Sequence, residues 1–169
     1  MEIPGKLAQR IGLAATSFLL VSLGVWEGRR HTVYNDIGGV PTVCDGITGK
    51  GVIAGKQYSD EDCDKLIASR VDELAGEALA CVHVPLTIHE TVAWVHFSYN
   101  VGPWAFCKSK AAVLINQRQY KAACAQISRW TWAAGKDCRL ASSKCIGLVK
   151  RRDRERAMCE GQIPVPGDP

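Results

Sequence analysis

The chain has 169 residues, 47% of them hydrophobic, and a formal net charge of +4. That length supports one sizeable core, in one lobe or two, and excludes two large domains. Arg139, Lys144, Lys150, Arg151, Arg152, Arg154 and Arg156 crowd the C-terminal part, but no aromatic or glycine pattern accompanies them, so nucleic-acid binding is not supported. A solvated helix face with Asp153 and Glu155 interleaved, or a surface attractive to carboxylates, explains them as well.

In chain order, Lys6 and Arg10 precede an uncharged apolar run from Ile11 to Trp26, the positively flanked pattern that a secretion apparatus recognises. As a helix this run reaches about 24 Å, short of a hydrocarbon core near 30 Å, and Gly12, Thr16, Ser17, Ser22 and Gly24 dilute it. Between Thr32 and Tyr58 the glycines separate short β-branched pieces such as Pro41-Thr42-Val43 and Gly51-Val52-Ile53, which predicts a small antiparallel sheet. Ser59-Asp60-Glu61-Asp62 is a helix start, followed by Leu66, Ile67, Val71, Leu74, Ala75 and Ala78 at helical spacing, predicting a long helix that joins the lobes. Pro85, with Thr87 and Glu90 in capping-box spacing, starts a second helix that Asn100-Val101-Gly102-Pro103 ends. Further helical runs cover Lys110 to Asn116, Gln119 to Arg129 and Leu148 to Cys159, and the tail from Gly161 to Pro169, with three prolines and two glycines, predicts a frayed end. The sum is an α+β fold, mostly helical.

Glu27 is the first charged residue after the apolar run, and it opens the series Glu27, Asp36, Thr42. Cleaving a glycoside requires one carboxyl kept protonated for the leaving oxygen and a second kept ionised. Glu27 follows Val25 and Trp26 in apolar sequence, whereas Asp36 lies in polar, glycine-bearing sequence. Those surroundings predict an acid at Glu27 and a base or charge stabiliser at Asp36.

The wider pattern is Trp26-Glu27-Gly28, Tyr34-Asn35-Asp36, Gly39-Val40-Pro41-Thr42 and Gly46-Ile47-Thr48-Gly49. It resembles the phage lysozymes of glycoside hydrolase family 24, whose motif runs E-G, Y-x-D, G-x-x-T and G-x-T-G. Later segments agree in order: Phe97 to Gly102, Ser128-Arg129-Trp130, and Gly147 to Arg152 with Glu155-Arg156. The resemblance implies a lysozyme-like fold, with a small antiparallel β lobe and a catalytic cleft between lobes. It places Glu27 on the catalytic acid, Asp36 on the second carboxylate and Thr42 on the hydroxyl that helps hold the attacking water. Tyr99, Asn100 and Trp130 fall on positions lining the saccharide cleft, and Arg151 or Arg152 falls where a cation supports the acid. One departure stands out: Asp45 or Ile47 occupies a position where many members carry histidine.

Eight cysteines, none in C-x-x-C spacing, indicate an oxidising compartment and disulfides rather than zinc fingers. Cys138 with Cys145 would close a short loop, Cys44 with Cys63 would tie the sheet to the long helix, and Cys124 with Cys159 would join two C-terminal helices, which leaves Cys81 with Cys107. Of His31, His83, His89 and His96, only His89 and His96 share a helix, and no third ligand stands at helical spacing, so no metal and no cofactor are implied.

Three fates compete for the N-terminal run: a cleaved signal peptide, a permanent anchor, and a segment similar to that of the signal-arrest-release endolysins, which inserts weakly and later leaves the bilayer. The third is the expectation, because cleavage would strip Glu27 of its helix and the run is a poor anchor. The expected organisation is residues 1–26 as this segment, 27–160 as the catalytic domain and 161–169 as a flexible tail. The expected activity is hydrolysis of the β-1,4 bond between N-acetylmuramic acid and N-acetylglucosamine in peptidoglycan. The expected enzyme is a phage muramidase, exported by the host secretion machinery, held at the inner membrane by residues 11–26, dependent on a holin, and then soluble and monomeric in the periplasm. The rival readings are a lytic transglycosylase, which would need one glutamate and neither Asp36 nor Thr42, and a non-catalytic wall-binding protein.

Overall fold

A computed structural model describes residues 5–36 and 39–168, with residues 25–27 described through their backbone alone. The chain divides into two compact units, residues 1–73 and 74–169.

The first unit opens with α1 (Gly5–Ile11) and α2 (Leu13–Glu27). Gly12, at φ +83°, separates them, a left-handed backbone that favours glycine, and the pair bends there by 120°. Asp72 supplies acceptors at the start of α1: its two carboxylate oxygens receive the backbone N–H of Lys6 at 3.1 Å and of Leu7 at 2.9 Å. Along α2 the apolar residues surround the axis, so burial is decided by packing: Ala15, Leu19, Leu20 and Leu23 are buried while Leu13 and Val21 are exposed. Two hydroxyls of α2 are buried as well, and each turns back on its own helix, Thr16 to Gly12 O and Ser22 to Leu19 O, both at 2.8 Å.

Three antiparallel strands follow in the order β1 (Arg30–Asn35), β2 (Pro41–Cys44) and β3 (Ile47–Thr48). Arg30 opposes Cys44 and Tyr34 opposes Thr42, so β1 carries a bulge between those pairs. The segment Gly51-Val52-Ile53, expected as a strand piece, is instead a turn in which Val52 N–H donates to Gly49 O and Ile53 N–H to the Tyr58 hydroxyl. Gly49, Gly51 and Gly55 all sit at positive φ, which breaks the extended backbone that a strand requires. The helix α3 (Asp60–Leu79) begins where the acidic run predicts, and the boundary between the two units falls within it.

The second unit continues through α4 (Ile88–Val101), α5 (Pro103–Cys107), α6 (Lys110–Asn116) and α7 (Tyr120–Gln126), then a 3-10 turn at Ile127–Arg129. The capping box at α4 is complete, with Thr87 accepting from Glu90 N–H and Glu90 answering at Thr87 N–H. The run predicted as one helix to Arg129 tightens at Ile127 into the 3-10 turn. A small hairpin, β4 (Trp132–Ala133) with β5 (Lys136–Asp137), precedes α8 (Ile146–Cys159). The helices pack around Trp94, Phe97, Phe106, Ile115, Ile127 and Met158, all fully buried, with Trp94 stacked on Phe106 at 5.3 Å and Phe97 edge-on to Trp94 at 5.9 Å.

Disulfides join Cys44 to Cys63 in the first unit, and Cys81 to Cys107, Cys124 to Cys159 and Cys138 to Cys145 in the second. These are the pairs that the sequence suggested. The tail, whose composition predicts fraying, has Val165 buried and Asp168 paired with His89.

Candidate active site

Helix α2 ends at Glu27, whose side chain lies outside the described residues, and Gly28 at φ +67° turns the chain out of the helix. Only Gly28 and Arg29 separate that helix end from β1. Asp36 and Thr42 stand at the far end of the β1–β2 hairpin. The backbone closes it there, Asp36 N–H donating to Val40 O and Gly39 N–H to Asp36 O, both at 3.0 Å. The Asp36 carboxylate also accepts from Val40 N–H at 2.9 Å, as aspartates do in turns. Thr42, buried beside Tyr34 in the strand register, donates its hydroxyl to Val40 O at 2.8 Å. Asp36 and Thr42 therefore converge on one short loop, both holding Val40.

Sequence reasoning missed the group beside them. Arg29 reaches Asp45 with Nη2 at 2.8 Å and Nε at 3.1 Å, Asp60 with Nη1 at 3.1 Å, and Asp64 with Nη2 at 2.9 Å. His31 adds a contact to Asp60 at 3.2 Å. The hydrogen bonds with Asp45 hold the Arg29 guanidinium above its ordinary value, against a downward pull from burial, and the hydrogen bond from Arg29 lowers Asp60. Asp45 is buried, and the Arg29 guanidinium beside it supplies charge that makes a carboxylate tolerable there. The sequence carried a faint signal in the repeat Cys44-Asp45 and Cys63-Asp64, since pairing the cysteines brings the two carboxylates to one place.

In the second unit, Tyr99 and Asn100 lie in the last turn of α4, half-buried and exposed respectively, and Trp130 follows the 3-10 turn with its ring edge-on to Phe97 at 5.4 Å. Arg152, from α8, joins them: Nε donates to Trp130 O at 3.0 Å, Nη2 to the Asn100 side chain and Nη1 to Glu155. The guanidinium also sits 4.9 Å from the Phe97 ring. Glu155 is the hub: it receives His96 Nδ1 at 2.8 Å and Arg151 Nε at 3.1 Å, and like His96 it is wholly buried. Burial pushes the Glu155 carboxyl up, but the hydrogen bond from His96 and the charge of Arg152 prevail and hold it below the usual carboxylate range. Burial pulls Arg152 down, opposed by Glu155. Of the residues expected from sequence, Asn100, Trp130 and Arg152 are thus brought into direct contact, with Arg151 one bond away through Glu155.

By sequence, residues 24–155 match the phage lysozyme family. The chain belongs to that family. The SAR-endolysin of Escherichia phage 933W is 34% identical over 165 residues, covering 88% of this chain and 93% of that protein. The SAR-endolysin of bacteriophage PS119 is 37% identical over 133 residues, covering 79% and 75%. Among solved structures, a mutant of P22 lysozyme aligns with a TM-score of 0.72 at 28% identity, covering 88% of this chain and 99% of that one. The fold is lysozyme-like, and this phage lysozyme is a glycosidase of the peptidoglycan-hydrolase kind.

Proposed function

We propose that this phage lysozyme hydrolyses the β-1,4 bond between N-acetylmuramic acid and N-acetylglucosamine, with Glu27 as acid, Asp36 as base or charge stabiliser, and Thr42 holding the attacking water. The hairpin supports this most. Because the Thr42 proton is given to Val40 O, its oxygen is left to accept a hydrogen bond from water, and Asp36 accepts on the same loop. A water that donates to both presents its lone pair outward, as a nucleophile must. Tyr99, Asn100 and Trp130 are the proposed saccharide contacts. Arg151 or Arg152 is the proposed supporting cation. In the test, Glu27→Gln lowers clearing of permeabilised cells by roughly 10²- to 10⁴-fold, Asp36→Asn also impairs it, and Thr42→Ala impairs it least. Undiminished clearing by Glu27→Gln refutes the acid.

We also propose that the chain is exported by the host secretion machinery, waits in the inner membrane through residues 11–26, and is released in dependence on a holin to act as a periplasmic monomer. What supports this is a helix suited to two solvents. It is apolar on every side, which fits either a bilayer or a core, and the buried hydroxyls of Thr16 and Ser22 are satisfied within the helix, so lipid leaves them no worse paired. Among the described residues no single helix is long and apolar enough to cross a membrane, but α1 with α2 up to Gly24 passes as a bent pair. Replacing Gly12, Ser17, Ser22 and Gly24 by leucine holds the protein in the membrane fraction after an uncoupler is added, while the wild type becomes soluble at full length. A wild type already soluble and shortened at its N-terminus contradicts the reading.

A further inference from the structure

We propose that Arg29 is a positioning residue of this enzyme, fixing the Glu27 end of α2 against the sheet that carries Asp36 and Thr42; this rests on the assignment of Glu27 as the acid. The chain leaves α2 through Gly28, at a left-handed φ of +67°, and among the described residues nothing beyond its chain neighbours crowds the place where a side chain would start there. The next residue carries the brace. Arg29 binds three carboxylates from two other places in the fold: Asp45 in the β2–β3 turn, and Asp60 and Asp64 in the first turns of α3. The Cys44–Cys63 disulfide sets this up, since Asp45 and Asp64 each follow one of its half-cystines.

Charge explains why the arginine is required. Three carboxylates face one guanidinium, with His31 adding a contact at Asp60, and Asp45 has only 2% of its side chain exposed. Without Arg29 these carboxylates repel one another, and the buried one loses its ion pair with the guanidinium. The planar fork also matters, because Nε and Nη2 grip Asp45 together, which a lysine ammonium does not reproduce. Asp45 is three residues from Thr42 along the chain, and Arg29 two residues from Glu27. A loosened clamp therefore shifts the acid relative to the water-holding hydroxyl, and a displacement of about 1 Å at a reacting centre costs on the order of 10²-fold in rate.

The experiment uses the oxidised full-length protein and measures kcat and KM on purified wall for Arg29→Met, Arg29→Lys, Asp45→Asn, the double variant Arg29→Met with Asp45→Asn, and Glu27→Gln, each well below its own melting temperature. The expected result is a kcat lowered at least about 10-fold in Arg29→Met with KM changed by less than about 3-fold. Arg29→Lys recovers part of that loss, and the double variant is no worse than Arg29→Met. Should Arg29→Met fail to fold, Asp64→Asn removes one limb of the clamp and shows the same split on a smaller scale. A folded Arg29→Met with full kcat, or losses in kcat that follow only the fraction unfolded, overturns the proposal while Glu27→Gln is inactive. Activity retained by Glu27→Gln overturns the acid assignment and the proposal together.

Discussion

The two units hold their charges in opposite ways. Around Arg29, in residues 1–73, the cluster is partly wet: Arg29 is 30% exposed and Asp60 74% exposed, with only Asp45 buried. Around Glu155, in residues 74–169, it is dry, with His96 and Glu155 wholly buried and Arg152 1% exposed. The wet cluster joins a helix end, a turn and a helix start; the dry one joins two packed helices and the chain at Trp130. Exposed pairs contribute little to stability, whereas removing one partner of a buried pair leaves an uncompensated charge. The first cluster is therefore read as a device of geometry, and the second as one on which folding itself depends.

The sharpest way to break that contrast is Glu155→Gln. It is expected to cost about 3 to 5 kcal/mol, lowering the melting temperature by roughly 10 °C, while Asp60→Asn leaves it nearly unchanged. The acid dependence follows the same logic. The Glu155 carboxyl is held below its ordinary value in the folded protein, so its contribution is present at pH above the unfolded value, about 4.3, and is lost as pH falls through the lowered folded value. Thermal melts between neutral pH and pH 3 should show a fall for the wild type that is shallower for Glu155→Gln. Equal slopes would place the acid sensitivity elsewhere.

The disulfides differ between the two units as well. Chain-entropy arguments assign about 4 kcal/mol to Cys124–Cys159, about 3 to Cys44–Cys63 and about 2 to Cys138–Cys145, following sequence separations of 35, 19 and 7. Paired serine variants should lose melting temperature in that order, and thiol titration of denatured, unreduced wild type should find no free thiol. If Cys44–Cys63 also orients the Arg29 clamp, its removal costs more activity per degree of melting than the removal of Cys124–Cys159. The smallest expected effect is at Asp72, which caps α1: Asp72→Ala is expected to cost about 1 kcal/mol, read by chemical denaturation.

What was legible beforehand follows from how local each feature is. The acidic start of α3, the Thr87–Glu90 box and the span of α6 are set by neighbours within a turn, and the structure has them where the sequence placed them. Three disulfide pairs were legible from the elements or the short loop that each would join, and Cys81–Cys107 followed only as the remainder. Gly51-Val52-Ile53 was misread because β-branched residues suggest a strand, while the positive φ at Gly49 and Gly51 shows only in three dimensions. The break at Gly12 was missed for the same reason. At the site, Glu27, Asp36 and Thr42 were visible as a motif, and Asn100, Trp130 and the pair Arg151 or Arg152 as separate matches. Their joining through Arg152, and the roles of His96, Glu155, Arg29 and Asp45, depend on contacts 16 to 59 residues apart in the chain.

Hydrolysis by an acid with a held water is tested by mass spectrometry of the sugars released from purified peptidoglycan. The expected fragments end in reducing N-acetylmuramic acid, carrying heavy oxygen when the digest is run in labelled water. Fragments ending in anhydromuramic acid, without label, would contradict it and assign the chemistry to a lytic transglycosylase.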